Sequence, residues 1–132
     1  MLKDINFSSK DTVAIALAKN NPQDDMWIAY LLNLDDQEIN TVMVSSRGYG
    51  ELDGVKKETA TLRWNLGEIS AQSVCIIEEI PEDVLQLNNE FLISYFIENQ
   101  FFNKKIILNS ENVIEDFYID LPLIHKKGIL IR

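Results

Sequence analysis

A single histidine, His125, and a single cysteine, Cys75, are the whole supply of imidazole and thiol in this chain of 132 residues. A Cys/His couple therefore requires these two to meet. Cys75 sits in the apolar run Val74-Cys75-Ile76-Ile77 and reads as a buried thiol, whereas His125 falls in a loop near the C-terminal end. Zinc sites draw on several Cys or His ligands, and a serine triad on this type of chain lacks a Gly-x-Ser-x-Gly elbow. Carboxylates gather at Asp24-Asp25, at Asp35-Asp36 with Glu38, and at Glu78-Glu79 with Glu82-Asp83. A calcium loop needs oxygen ligands at alternating positions around a glycine turn, and none of the three clusters follows that pattern. Hairpin loops and a helix start account for them. A carboxylate pair for glycoside hydrolysis is assembled in space rather than in sequence, so spacing leaves that chemistry open. No catalytic, cofactor-binding or metal-binding residue is assigned.

Phosphate chemistry fares no better. Gly48-Tyr49-Gly50 begins a Gly-x-Gly-x-x-Gly pattern, but Asp53 stands where the third glycine belongs, and Gly54 is followed by Val55-Lys56-Lys57 rather than Lys-Ser/Thr. Three of the five glycines lie between Ser46 and Gly54, a stretch that reads as a long, mobile loop. Arg47, Tyr49, Lys56 and Lys57 on that loop are residue types suited to contact with a partner. Phe101 and Phe102, in a predicted hairpin loop over Asn99 to Asn103, are the aromatic pair expected to be exposed. These six residues form the candidate partner-binding set.

The elements that must carry them are strands. Thr12 to Ala18 alternates bulky Val13, Ile15 and Leu17 with Ala14, Ala16 and Ala18, giving one bulky face and one thin one. Asn20 to Asp25 is a turn by composition. Met26 to Leu34 is apolar on both faces and is expected to be a central strand; Phe91 to Ile97 is the second strand with large apolar residues on both faces. Asp35 to Glu38 closes a hairpin onto Ile39 to Ser45. Thr59 to Trp64 reads as a half-buried strand with Ala60, Leu62 and Trp64 inward, and a polar corner at Ser70 to Ser73 leads into a strand over Val74 to Ile80. One helical turn is expected from Pro81 to Leu87, since proline suits a first helical position. Lys104 to Leu108, Val113 to Leu123 and Gly128 to Ile131 complete eight or nine strands. The expectation is an all-β antiparallel sandwich forming a single domain over residues 1–132.

Composition bounds the partners. A net charge of −9 opposes binding to a polyanion, which needs clustered Lys and Arg to displace counterions, so nucleic acid is disfavoured. From Trp64 to Asn103 there are seven acids and no Lys or Arg, a polarity able to orient a protein partner. The longest early apolar run, Val13 to Ala18, is too short for a secretory signal, and no stretch approaches the roughly 20 residues of a membrane span. With one unpaired cysteine, the expectation is a cytoplasmic protein with no membrane contact, in which the sequon Asn6-Phe7-Ser8 has no consequence.

Two resemblances add to this. The segment Trp64-Asn65-Leu66-Gly67-Glu68-Ile69-Ser70-Ala71-Gln72-Ser73 resembles the corner before a central strand in bacterial immunoglobulin-like domains, which implies an immunoglobulin-like sandwich. Trp27 to Asn33, Gly48-Tyr49, Glu58 to Arg63, Val84 to Phe91 and Ile124 to Leu130 resemble a family of small bacterial proteins often labelled phenylalanyl-tRNA synthetase alpha subunit. That resemblance implies an accessory factor for a synthetase or tRNA. A non-enzymatic protein-interaction module is the leading expectation from the residues, with a small-molecule or carbohydrate binder as a further alternative.

Overall fold

The computed structural model describes residues 12–132; the sequon at residues 6–8 lies outside them. They form ten strands: β1 (Val13–Ala18), β2 (Met26–Asn33), β3 (Ile39–Leu52), β4 (Val55–Glu58), β5 (Leu62–Ile69), β6 (Ser73–Pro81), β7 (Asn88–Ile97), β8 (Gln100–Leu108), β9 (Ile119–Asp120) and β10 (Lys127–Ile131). One sheet runs β6-β2-β1-β10-β9. The other runs β4-β3-β7-β8, with β5 also paired to β3. Every pairing is antiparallel. The order β1-β2-β6 against β3-β7-β8 reproduces the A-B-E and C-F-G order of an immunoglobulin-like sandwich.

The chain builds this because its strands alternate against a shared interior. Ile15 and Leu17 of β1, Leu31 of β2, Val42 and Val44 of β3, and Phe91 and Ile93 of β7 are almost completely buried between the sheets. The two strands with apolar residues on both faces are central: β2, as expected, lies between β1 and β6, and β7 between β3 and β8. The thin face of β1 also has a purpose. Ala14, Ala16 and Ala18 join Ile28, Tyr30 and Leu32 in a second apolar cluster on the other face of the first sheet, where Leu121 and Ile124 pack on them. Gly128 of β10 is fixed by this arrangement, since a Cβ there would stand 2.1 Å from the Leu17 carbonyl oxygen.

The corner at Ser70 to Gln72 carries the chain from the second sheet to the first, and buried Asn33 ties it down. Its Nδ2 donates to the carbonyls of Gln37, Ile69 and Ser70 at 2.9, 3.2 and 3.0 Å, while its Oδ1 accepts from the Asp35 amide at 3.0 Å. Gln72, at φ 53°, donates its side-chain amide to the Leu34 carbonyl at 2.6 Å.

Several expectations are corrected. Ser46 to Gly54 is no loop: β3 continues to Leu52, and only Asp53-Gly54, both at positive φ, make the turn into β4. The polar residues there are the solvent side of a hairpin, and pairing with β4 and β7 satisfies the backbone groups that a loop would leave to water. Phe101 and Phe102 belong to β8, not to a loop, because Glu98 at φ 57° allows a tighter turn. The strand after that polar hairpin begins at Leu62, with Ala60 and Leu62 exposed, leaving Trp64 and Leu66 to reach the core. Thr59 to Thr61 is a break, where the Thr59 hydroxyl substitutes for ladder bonds by accepting from the Gly48 amide at 2.8 Å. Val113 to Leu123 is not a strand but a 3-10 turn at Glu115–Phe117 and the two-residue β9; a further turn at Ser110–Asn112 is closed by a reciprocal Asn109/Asn112 capping box. The expected helical turn shortens to Val84–Gln86, so the described residues hold three 3-10 turns rather than one helical turn. Cys75 is only half-buried, because β6 is an edge strand.

Candidate functional site

The outer face of the second sheet holds a groove of about 630 Å³. Strand register builds it. Arg63 of β5, Ser45 of β3, Leu92 of β7 and Lys105 of β8 stand side by side in one row, and Asn65, Met43, Ser94 and Asn103 form the next. Met43 and Leu92 make an apolar floor that is 46% and 43% exposed. The cations Arg63 and Lys105 flank it, and neither has an ion-pair partner among the described residues. The neighbouring Lys104 points to the opposite face, where its Nζ donates to the Val13 carbonyl at 2.8 Å and links β8 to β1.

The expected partner-binding residues fall at the two ends of this sheet. At one end, Arg47 lies over the Tyr49 ring at 4.6 Å and pairs with Glu58 at 3.5 Å and Glu90 at 3.3 Å. Lys56 and Lys57 follow on β4, and together these residues border a second open depression. At the other end, Phe101 is half exposed and packs on Phe96 with ring centres 5.2 Å apart. Phe102 turns inward and stacks on Tyr95 at 5.5 Å. The register that pairs Asn88 with Tyr49 and Phe96 with Phe101 puts the length of β7, on the order of 25 Å, between the two groups. They are therefore ends of one surface rather than one patch. The middle of that surface was missed. Its signal in the sequence is the outward set Met43, Ser45 and Arg47 on β3, together with Leu92, an apolar residue between Glu90 and Ser94 on the outward face of β7.

Cys75 and His125 do not meet. Cys75 is on β6, and β2 and β1 separate that strand from β10, beside which His125 lies at φ 61°. Burial pushes the Cys75 thiol up, away from its reactive form. Among the described residues, no group of three or more His, Cys, Asp or Glu side chains is placed to hold a metal ion. Glu82 is held below the usual carboxylate range, first by Lys19, 3.1 Å away, and then by the Trp27 indole at 3.4 Å. Glu78 shifts the other way: burial raises its carboxyl, opposed only by the Ser46 hydroxyl that donates to it at 2.8 Å.

No helix among the described residues is long and apolar enough to cross a membrane. No family model matches the chain, and no curated protein matches it.

Proposed function

We propose that this chain is a non-enzymatic recognition module that grips a protein partner on the outer face of the second sheet. The observation that carries the reading is the apolar floor of Met43 and Leu92 held open between two cations, Arg63 and Lys105, that have no ion-pair partner among the described residues. Exposed apolar area rimmed by polar groups is the usual mark of a contact surface, and free arginine beside it supplies an anchor. On a protein of net charge −9, a local pair of cations with no ion-pair partner among the described residues selects an acidic segment of the partner. A cytoplasmic setting is part of the same proposal. The accessory tRNA role draws only on the resemblance to the synthetase-labelled family, and the overall charge weighs against it.

The test is affinity capture from a nuclease-treated lysate of the source organism. A stoichiometric protein partner is expected with the wild type, retained by Lys56→Glu/Lys57→Glu and lost by Met43→Glu and by Arg63→Glu/Lys105→Glu. Retention of the partner by both groove variants, or capture of RNA alone, would overturn the reading. The groove volume also supports a small-molecule binder, since about 630 Å³ lies within the ~300–1,000 Å³ of ligand pockets. A ligand that raises the melting temperature of the wild type but not of Met43→Glu would favour that second reading.

A further inference from the structure

A separate cavity of about 200 Å³ opens between the two sheets where β4 and β5 part. It does not depend on the outer groove. Glu78 of β6 and Ser46 of β3 meet on its lining, Asn89 lies on its wall, and Leu62, Ile80 and Val84 supply apolar lining. The uncharged side chains around it, Ser46, Thr59 and Asn89, have used their donors. The Ser46 hydroxyl goes to Glu78 Oε2, the Thr59 hydroxyl to the Ala60 carbonyl at 3.0 Å, and the Asn89 amide to the carbonyls of Val84 and Leu87 at 3.0 and 3.2 Å. Arg47, at the rim on a partly exposed side chain, is held by Glu58 through Nη1 and by Glu90 through Nε. Glu78 and Asn89 themselves offer acceptors: the second oxygen of the Glu78 carboxylate and the Oδ1 of Asn89, whose orientation is fixed by the two bonds its nitrogen makes.

We propose that this cavity binds a primary ammonium group carried on an aliphatic stem, with Glu78 as its counter-ion and Asn89 Oδ1 as a second acceptor. A carboxylate oxygen and an amide oxygen on one cavity call for a ligand that donates to both, and an ammonium has three N–H donors and no acceptor. The stem lies against Leu62, Ile80 and Val84. At about 200 Å³ the space is below the ~300–1,000 Å³ of drug-sized sites, which suits one side chain or a short amine. Glu78 has no packing reason to be there: a desolvated carboxylate with a single hydrogen bond costs stability, and an apolar residue between the sheets would not. Its raised carboxyl is the mark of a charge awaiting a partner. The same chemistry is presented by a lysine side chain of another protein and by a free alkylamine.

The experiment is an NMR titration of the isotopically labelled full chain with n-pentylammonium chloride and, separately, with Nα-acetyl-lysine methylamide; n-pentanol serves as the neutral isostere. Saturable shifts are expected at Ser46, at Thr59 to Leu62, and at Ile80 and Val84, with pentanol at least tenfold weaker and Glu78→Gln weakening either amine at least tenfold. Tighter binding of the lysine derivative would assign the occupant to a protein, and tighter binding of pentylammonium to a free amine. Equal binding of pentanol, equal binding by Glu78→Gln, or no saturable shift at these residues would overturn the proposal. Ala60→Phe is an independent variant, since it blocks the mouth from an exposed position and leaves the Ser46 to Glu78 bond in place. Undiminished binding by it would likewise place the amine elsewhere.

Discussion

Asn33 and Glu78 are two polar side chains on neighbouring strands of the first sheet, and the fold treats them in opposite ways. Asn33, at the end of β2, makes four hydrogen bonds and is fully buried. Glu78, paired with Ala29 four residues back along β2, keeps one hydrogen bond and a cavity. Complete satisfaction marks a group whose work is structural, here to lock the β2–β3 turn onto the β5–β6 corner. A polar group left partly unsatisfied is a standing cost that packing alone would not retain. The difference teaches where stability has been spent on something other than the fold.

The largest expected effect breaks the satisfied side. Asn33→Ala strands the Ile69 and Ser70 carbonyls without donors and is expected to cost about 3 kcal/mol in urea denaturation at neutral pH. Asn33→Asp should be as damaging, since its carboxylate would face those carbonyls. Glu78→Gln acts in the opposite direction: removing a desolvated charge while keeping the shape is expected to stabilise the protein at pH 7, measured by the same melts.

The pH dependence sharpens this further. Because the folded-state value of Glu78 is raised by burial, the folded protein holds its proton more tightly than the unfolded chain does. That contribution is present at acid pH and lost as pH rises through the ordinary glutamate value toward the raised one. The advantage of Glu78→Gln should therefore vanish near pH 4 and grow toward neutrality. Glu82, lowered by Lys19 and Trp27, runs the other way in wild type and variant alike, so it cancels from the difference. The smallest effect belongs to the outer face. Arg63→Glu/Lys105→Glu should change stability by less than about 0.5 kcal/mol, as exposed positions usually do, even where partner capture is abolished.

Much of this architecture was legible. Apolar residues on both faces of Met26 to Leu34 and of Phe91 to Ile97 marked the two strands that lie inside their sheets, β2 between β1 and β6 and β7 between β3 and β8. The corner at Ser70 to Gln72 was legible from its composition. The polar, glycine-bearing half of β3 was not, since a strand that leaves the core to form a hairpin loses the inward set that reveals it. Trp64 was placed inward correctly, but Leu62 was carried with it by the same alternation; the break at Thr59 to Thr61 is held by a side-chain hydroxyl, which leaves no period to read. The groove and the cavity share one reason for being hidden. Arg63 and Lys105 are brought together by β3 and β7 lying between their strands, and Ser46 meets Glu78 only across the interior. Neighbours supplied by strands far apart in the chain have no signature in local spacing.

The position of β10 has a consequence for how the chain acquires its structure. β1 lies between β2 and β10, with Ile15 opposite Ile131. One side of the first strand thus stays unpaired during synthesis until the residues around 131 have left the ribosome. Pairing over such a sequence distance carries a large loop-closure cost and slows folding. Through that interval the apolar β1 exposes an open edge, the kind of species that invites aggregation and chaperone capture. Nascent chains halted before Lys127 should accordingly be protease-sensitive at β1, and chains extended past Ile131 protected there.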